Sequence, residues 1–204
     1  MSQKRHVPAG IVACAAVVAL LVPVAAQQRA AAGPTKENPL RLRAVIQSQG
    51  KSMGLQGVVQ ISIERWTTDA ERQSLLALLA GPTVKAGEQG KLLNGLKDIK
   101  PRAGYLKLPN SPGWDIQYAR ENAAAGGMRQ IVVVTDRPVS FSSSFNGVES
   151  TDYPFTLIEM HLGQDNKGEG AMLTRSAISA KDGRLQLENY GVEPIKLTEI
   201  TPEK

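Results

Sequence analysis

The sequence predicts an α+β domain, mainly antiparallel β, with a curved or barrel-like sheet of about eight strands and one or two helices inserted after the second strand. Three observations carry this. Apolar residues recur with a period of two through most of the chain from Leu40 onward. The period lengthens to a helical one only between residues 68 and 99. Turn residues, rather than long crossovers, separate most of the strand-like segments. A two-layer sheet with the helices on one face is the alternative, and the pattern does not decide whether the sheet closes.

Taken in order, Leu40, Leu42 and Ala44 alternate with Arg41 and Arg43, which starts a strand. Gly57 to Arg65 reads G-V-V-Q-I-S-I-E-R, with Val59, Ile61 and Ile63 on one face and Gln60, Ser62 and Glu64 on the other. Thr68-Asp69-Ala70-Glu71 is a capping box, in which the Thr68 hydroxyl accepts from the Glu71 amide and the Glu71 carboxylate from the Thr68 amide. Leu75, Leu76, Leu78 and Leu79 follow at helical spacing, and Gly81-Pro82 ends the element. A second helix over Glu88 to Ile99 places Leu92, Leu93, Leu96 and Ile99 on one side, weakened by Gly90 and Gly95.

Strand periodicity returns after Pro101, first in the short segment Tyr105 to Leu108. Trp114, Ile116 and Tyr118 then alternate with Asp115, Gln117 and Ala119, which puts the three large residues on one face. Gln130 to Thr135 holds Ile131-Val132-Val133-Val134, apolar on both faces, so it is expected to be a central strand. Tyr153 to Leu162, Ala171 to Ala180, Arg184 to Tyr190 and Ile195 to Ile200 complete the set, with Asp182-Gly183 as a hairpin turn.

The N-terminus reads as an address. Lys4 and Arg5 precede an apolar run from Val7 to Ala26 that ends in the small residues Val24-Ala25-Ala26. This is the pattern of a secretory signal peptide spanning residues 1–26, and retention of the run as a membrane anchor is the alternative. Lipid attachment at Cys14 is disfavoured, because the apolar run continues past it to Ala26. Residues 27–39 form a flexible leader, and 40–204 a single β-rich domain. Losing Lys4 and Arg5 from 24 basic residues leaves 22 against 19 acidic ones, a net of +3, and no cysteine. An exported, periplasmic or secreted, protein is therefore expected.

Composition excludes several classes. With 42% hydrophobic and 21% charged residues the chain is neither collagen, coiled coil, disordered tail nor polytopic membrane protein. One cysteine excludes a disulfide framework. Gly126-Gly127 precedes a strand rather than a helix, so no phosphate loop is present. Lys97, Lys100, Arg102 and Lys107 form a mild basic stretch diluted by Asp98, and aromatics are only 4%, so no nucleic-acid partner is expected.

The candidate chemistry centres on one strand face. Tyr153, Phe155 and Leu157 form an apolar stripe that ends in Glu159 and His161, the usual build of a small-ligand pocket with a polar end. The same face equally suits an ordinary core with a polar pair at its rim. Glu159 and His161 are spaced to share a proton, but two protein ligands are too few for zinc, and no cofactor or metal is expected. Ser140, Ser142, Ser143 and Ser144 precede Asn146-Gly147 without a nucleophile elbow, which is loop composition. Trp66 and Trp114, at strand ends among charged neighbours, are expected either to form the mouth of a cavity or to plug the sheet. Arg137 is expected to pair with Glu64 or Asp115.

I-E-R-W at 63–66, P-N-S-P-G-W-D at 109–115, V-T-D-R-P at 134–138 and D-Y-P-F-T at 152–156 resemble blocks of a family of uncharacterised exported bacterial proteins. The resemblance implies bacterial origin and export and carries no activity.

The leading expectation is a non-enzymatic β domain that binds a small apolar or lipid-like ligand within its curved sheet. A ligand-free structural or interaction domain that meets an envelope component is the second reading. A hydrolase-type enzyme using Glu159 with His161, or Glu64 with Asp115, is the third. With residues 1–26 removed, no membrane span is expected.

Overall fold

The computed structural model describes residues 33–47, 56–79, 89–109, 111–139, 153–181, 184–189 and 193–203. Within them lie β1 (Leu40–Gln47), β2 (Gln56–Ile63), α1 (Asp69–Leu79), α2 (Gly90–Asp98), β3 (Gly104–Lys107), β4 (Trp114–Ala123), β5 (Arg129–Thr135), β6 (Phe155–Leu162), β7 (Gly168–Lys181), β8 (Arg184–Asn189) and β9 (Ile195–Pro202). The strands pair in the order β6-β5-β4-β3-β2-β1-β9-β7-β8, and β6 also pairs with β7. Every pairing is antiparallel. The sheet therefore closes into an eight-stranded barrel, and the two helices enter after β2 as the periodicity indicates.

Closure depends on β7, which has 14 residues and serves three partners. Its start pairs with β9 through Gly170↔Leu197 and Met172↔Ile195. Farther along, the same edge pairs with β8 from Ser176↔Asn189 to Lys181↔Arg184. The opposite edge carries β6. A strand of ordinary length would serve one neighbour per edge.

Alternation fills the barrel. Leu42, Ala44 and Ile46 of β1, Val59, Ile61 and Ile63 of β2, and Ile131 and Val133 of β5 all point inward and are at most 2% exposed. Ile158, Met160 and Leu162 of β6 join the same cluster. The interior is thus an aliphatic core, as small barrels generally are.

The outer face of β5 and β6 is apolar as well. Leu75 and Leu79 of α1 and Leu92 and Leu96 of α2 pack there against Val134, Phe155, Leu157 and Ile178, forming a second core outside the barrel. The double-sided apolar character of β5 has this cause: one face lines the barrel and the other lies under the helices.

One strand departs from simple alternation. A register shift in β4 lies between Ile116↔Thr135 and Tyr118↔Val134. The extra residue, Gln117, turns Tyr118 outward, so Tyr118 packs in the helix-covered core while Trp114, Ile116 and Ala119 contact the barrel interior. The expected single face for Trp114, Ile116 and Tyr118 is corrected accordingly.

Two glycines mark close approaches of backbone. Gly113 has φ +90° in the turn before β4. At Gly104 a Cβ would stand 2.0 Å from the Ser62 carbonyl oxygen, in the β2–β3 pairing. Gly104→Ala is expected to lower stability by about 1–3 kcal/mol, the usual cost of over-packing. Gly57→Ala, where nothing lies within 4 Å of the added carbon, is expected to be neutral or mildly stabilising. Urea denaturation midpoints of the two variants check this contrast.

Candidate functional site

A crevice of about 350 Å³ opens between the helical pair and the outer face of the barrel. Its position follows from how α1 is delivered. After β2 the chain continues beside β4, where the Thr67 amide donates to the Ala119 carbonyl at 2.7 Å and the Ala119 amide donates to Thr67 Oγ1 at 2.9 Å. The capping box forms as the sequence indicates: the Thr68 amide donates to Glu71 Oε2 at 2.8 Å and the Glu71 amide to Thr68 Oγ1 at 3.2 Å. Arg65 adds a two-pronged grip on Glu71, both nitrogens at 2.9 Å, and also donates to the Pro101 carbonyl. At the start of α2 the buried Gln89 accepts the Ile178 amide at 2.8 Å, which ties that helix to β7.

The floor of the crevice is ordered by strand register. One row runs Tyr118, Val134, Leu157, Leu173 across β4 to β7. The next runs Arg120, Val132, Glu159, Ala171, and the third Asn122, Gln130, His161, Glu169. Polarity therefore rises row by row from the helix-covered end to the open end. Leu75, Leu76, Leu79, Leu92 and Leu96 form the roof, and Arg72 stands in the wall on α1.

Charges at the mouth are fixed by neighbours. Arg120 pairs with Asp69 at the start of α1 at 2.7 Å. Glu159 Oε1 accepts from Gln130 Nε2 at 2.7 Å and lies 2.8 Å from His161 Nε2. Burial pushes the Tyr118 hydroxyl above the ordinary phenol range, with Arg72 and Arg120 acting in the opposite direction. Tyr118 is thus a neutral hydrogen-bonding group at physiological pH. Among the described residues Arg72 has no carboxylate within ion-pair distance.

The residues singled out in the sequence divide into those at the crevice and those elsewhere. Glu159 lines it, beside Leu157. Phe155 is fully buried in the outer core under the helices, and His161 lies just beyond the mouth with its side chain 51% exposed. Tyr153 is half-buried ahead of β6. Phe155, Leu157 and Glu159 lie on the outward face of β6 toward the helices and not in the barrel. Trp66 and Trp114 are half-buried against the barrel's interior cluster, and neither lines the crevice. Gly33 lies so close to Trp66 that a Cβ would be 2.9 Å from the indole Cδ1.

Arg137 is exposed and donates to the Gly113 carbonyl at 3.3 Å. Its expected partners belong instead to Arg102, which holds Asp115 at 2.6 Å and Glu64 at 3.4 Å and lies over the Tyr105 ring. Glu64 and Asp115 therefore flank a guanidinium instead of forming an acid–base pair with one another. The serines at 140–144 and Asn146-Gly147 lie outside the described residues. Among the described residues no group of three or more His, Cys, Asp or Glu side chains is placed to hold a metal, and no helix is long and apolar enough to cross a membrane.

Arg72, Tyr118 and Arg120 were not anticipated as site residues. Arg72 had a readable signal, since it lies three and four residues before Leu75 and Leu76 and so shares their helix face. Tyr118 and Arg120 had none, because the bulge that turns them outward leaves no mark in the alternation. Comparison of the chain with protein-family models, with curated proteins and with solved structures gave no match.

The Arg65 grip has a pH signature. Hydrogen bonds from Arg65, followed by those from Thr68, hold the Glu71 carboxyl below its ordinary value against the opposing effect of burial. The ionised form is therefore favoured by folding. Its contribution is fully present above the ordinary carboxylate pKa of about 4.3 and is lost as pH falls through the lowered value. Denaturation midpoints measured between about pH 6 and pH 3 are expected to fall more steeply for the native chain than for Glu71→Gln.

Proposed function

We propose that the protein is an exported bacterial binding domain, without catalytic activity, that holds a small apolar or lipid-like molecule in the crevice between the helical pair and the barrel. The observation that carries this reading is a crevice of about 350 Å³ with an apolar body and a polar mouth. That volume is at the lower end of small-ligand sites, which combine apolar walls with a few placed polar groups. The basic, apolar N-terminal run ending in small residues supports export.

A second reading rests on the Glu159–His161 pair, whose 2.8 Å separation suits proton exchange. Its position at the rim, with His161 largely in solvent, also suits a polar border to a binding site. Unchanged turnover in Glu159→Gln, for any hydrolysis detected in the native chain, would remove this reading.

Native mass spectrometry of protein purified from the exported fraction without detergent tests the binding proposal. A reproducible extra mass that leaves on denaturation is expected. Leu76→Trp, which places an indole in the roof of the crevice, is expected to lose that mass while melting within a few degrees of the native chain. A bare monomer mass in both would favour a ligand-free interaction domain that meets an envelope component.

A further inference from the structure

We propose that the ligand of this crevice is a free monocarboxylic acid with an apolar tail, its carboxylate bound by Arg72 and Tyr118. This inference rests on the binding reading above and names the ligand's chemical class. The tail's place is set by the floor row Tyr118, Val134, Leu157 beneath the leucines of α1 and α2. A slot roofed by leucines and floored by Val134 and Leu157 suits an apolar tail better than a charged body.

The head's place is set by charge. Among the described residues three ionised side chains line the crevice, and two of them are engaged. Arg120 is held by Asp69 at 2.7 Å, and Glu159 takes donors from Gln130 and His161. Arg72 and Tyr118 line the crevice together, and Arg72 has no carboxylate partner among the described residues. A guanidinium presents paired donors that match one carboxylate, and the neutral phenol beside it supplies another hydrogen bond. One unmatched positive charge fits a monoanion. Glu159 stands two strands from Arg120 in the same row, roughly 10 Å away by the ordinary strand spacing. Its negative charge disfavours the β6 side and leaves the anion the side formed by α1 and β4.

The test is titration calorimetry of the intact protein with dodecanoate, dodecanol and dodecyltrimethylammonium, each below its micelle concentration. Dodecanoate is expected to bind at one site, about tenfold or more tighter than dodecanol, with the cation weakest. Arg72→Gln and Tyr118→Phe are each expected to weaken dodecanoate and leave dodecanol unchanged, which also shows that the variants are folded. Equal binding of dodecanoate and dodecanol would overturn the carboxylate assignment while the apolar crevice stands. Failure of all three probes would overturn both. Sedimentation with phosphatidylglycerol vesicles that Arg72→Gln abolishes would overturn the free acid in favour of a membrane surface. Dodecanoate uptake that survives Leu76→Trp would place binding outside the crevice and overturn the proposal.

Discussion

Strand β5 imposes the constraint on which the rest of the domain depends. Its run Ile131-Val132-Val133-Val134 is apolar on both faces, and a closed barrel hides only one of them. Ile131 and Val133 go inside, and Val132 and Val134 are left on the outer wall. Leaving that wall in water would forgo about 25 cal/mol for each Å² of apolar surface that could be buried. The two leucine-bearing helices supply the cover. Their insertion after β2 is suited to this, because the chain bonds Ala103 through Glu64 and Arg65 and then β4 through Thr67, which brings α1 to the outer face.

Cover and wall do not meet everywhere, and the reason is chemical. The outer rows of β4 to β6 become polar toward the open end, from Tyr118–Val134–Leu157 to Asn122–Gln130–His161. Leucines pack tightly on the first row and gain little over the last. The α1 end nearest the polar rows is held by the Asp69–Arg120 pair and by the Arg65–Glu71 grip. A crevice with an apolar interior and a charged rim is the consequence.

Much of this was legible in the sequence. The alternation located the strands, the Thr68–Glu71 box located the start of α1, and the two-sided run of β5 identified a strand with both faces covered. Closure of the sheet was not legible, because it depends on β7 changing partners along one edge, and no local pattern encodes that. The stripe Phe155, Leu157, Glu159 was legible as a face but not as an outward one, since period-two alternation does not say which side holds the main core. Arg137 illustrates a different limit. Charge alone offered Glu64 and Asp115 as partners, but the fold brings both carboxylates to Arg102. Tyr118 and Arg120 were hidden by a single bulge, which shifts the faces of all later residues in β4.

If a ligand occupies the crevice as proposed, its place outside the barrel couples binding to the stability of the cover. The barrel interior is filled by a cluster of buried side chains at most 5% exposed, so admitting a ligand there would displace the core that closes the sheet. The helical cover is held differently. Its buried residues are Leu75 and Leu79 on α1 and Leu92 and Leu96 on α2, far fewer apolar side chains than fill the barrel. An apolar ligand in the crevice extends the wall against which those leucines pack. By mass action it stabilises the covered state over any state in which the helices lift away. The rigid barrel therefore supplies the fixed floor of the site, and the helices supply the part whose stability the ligand can alter.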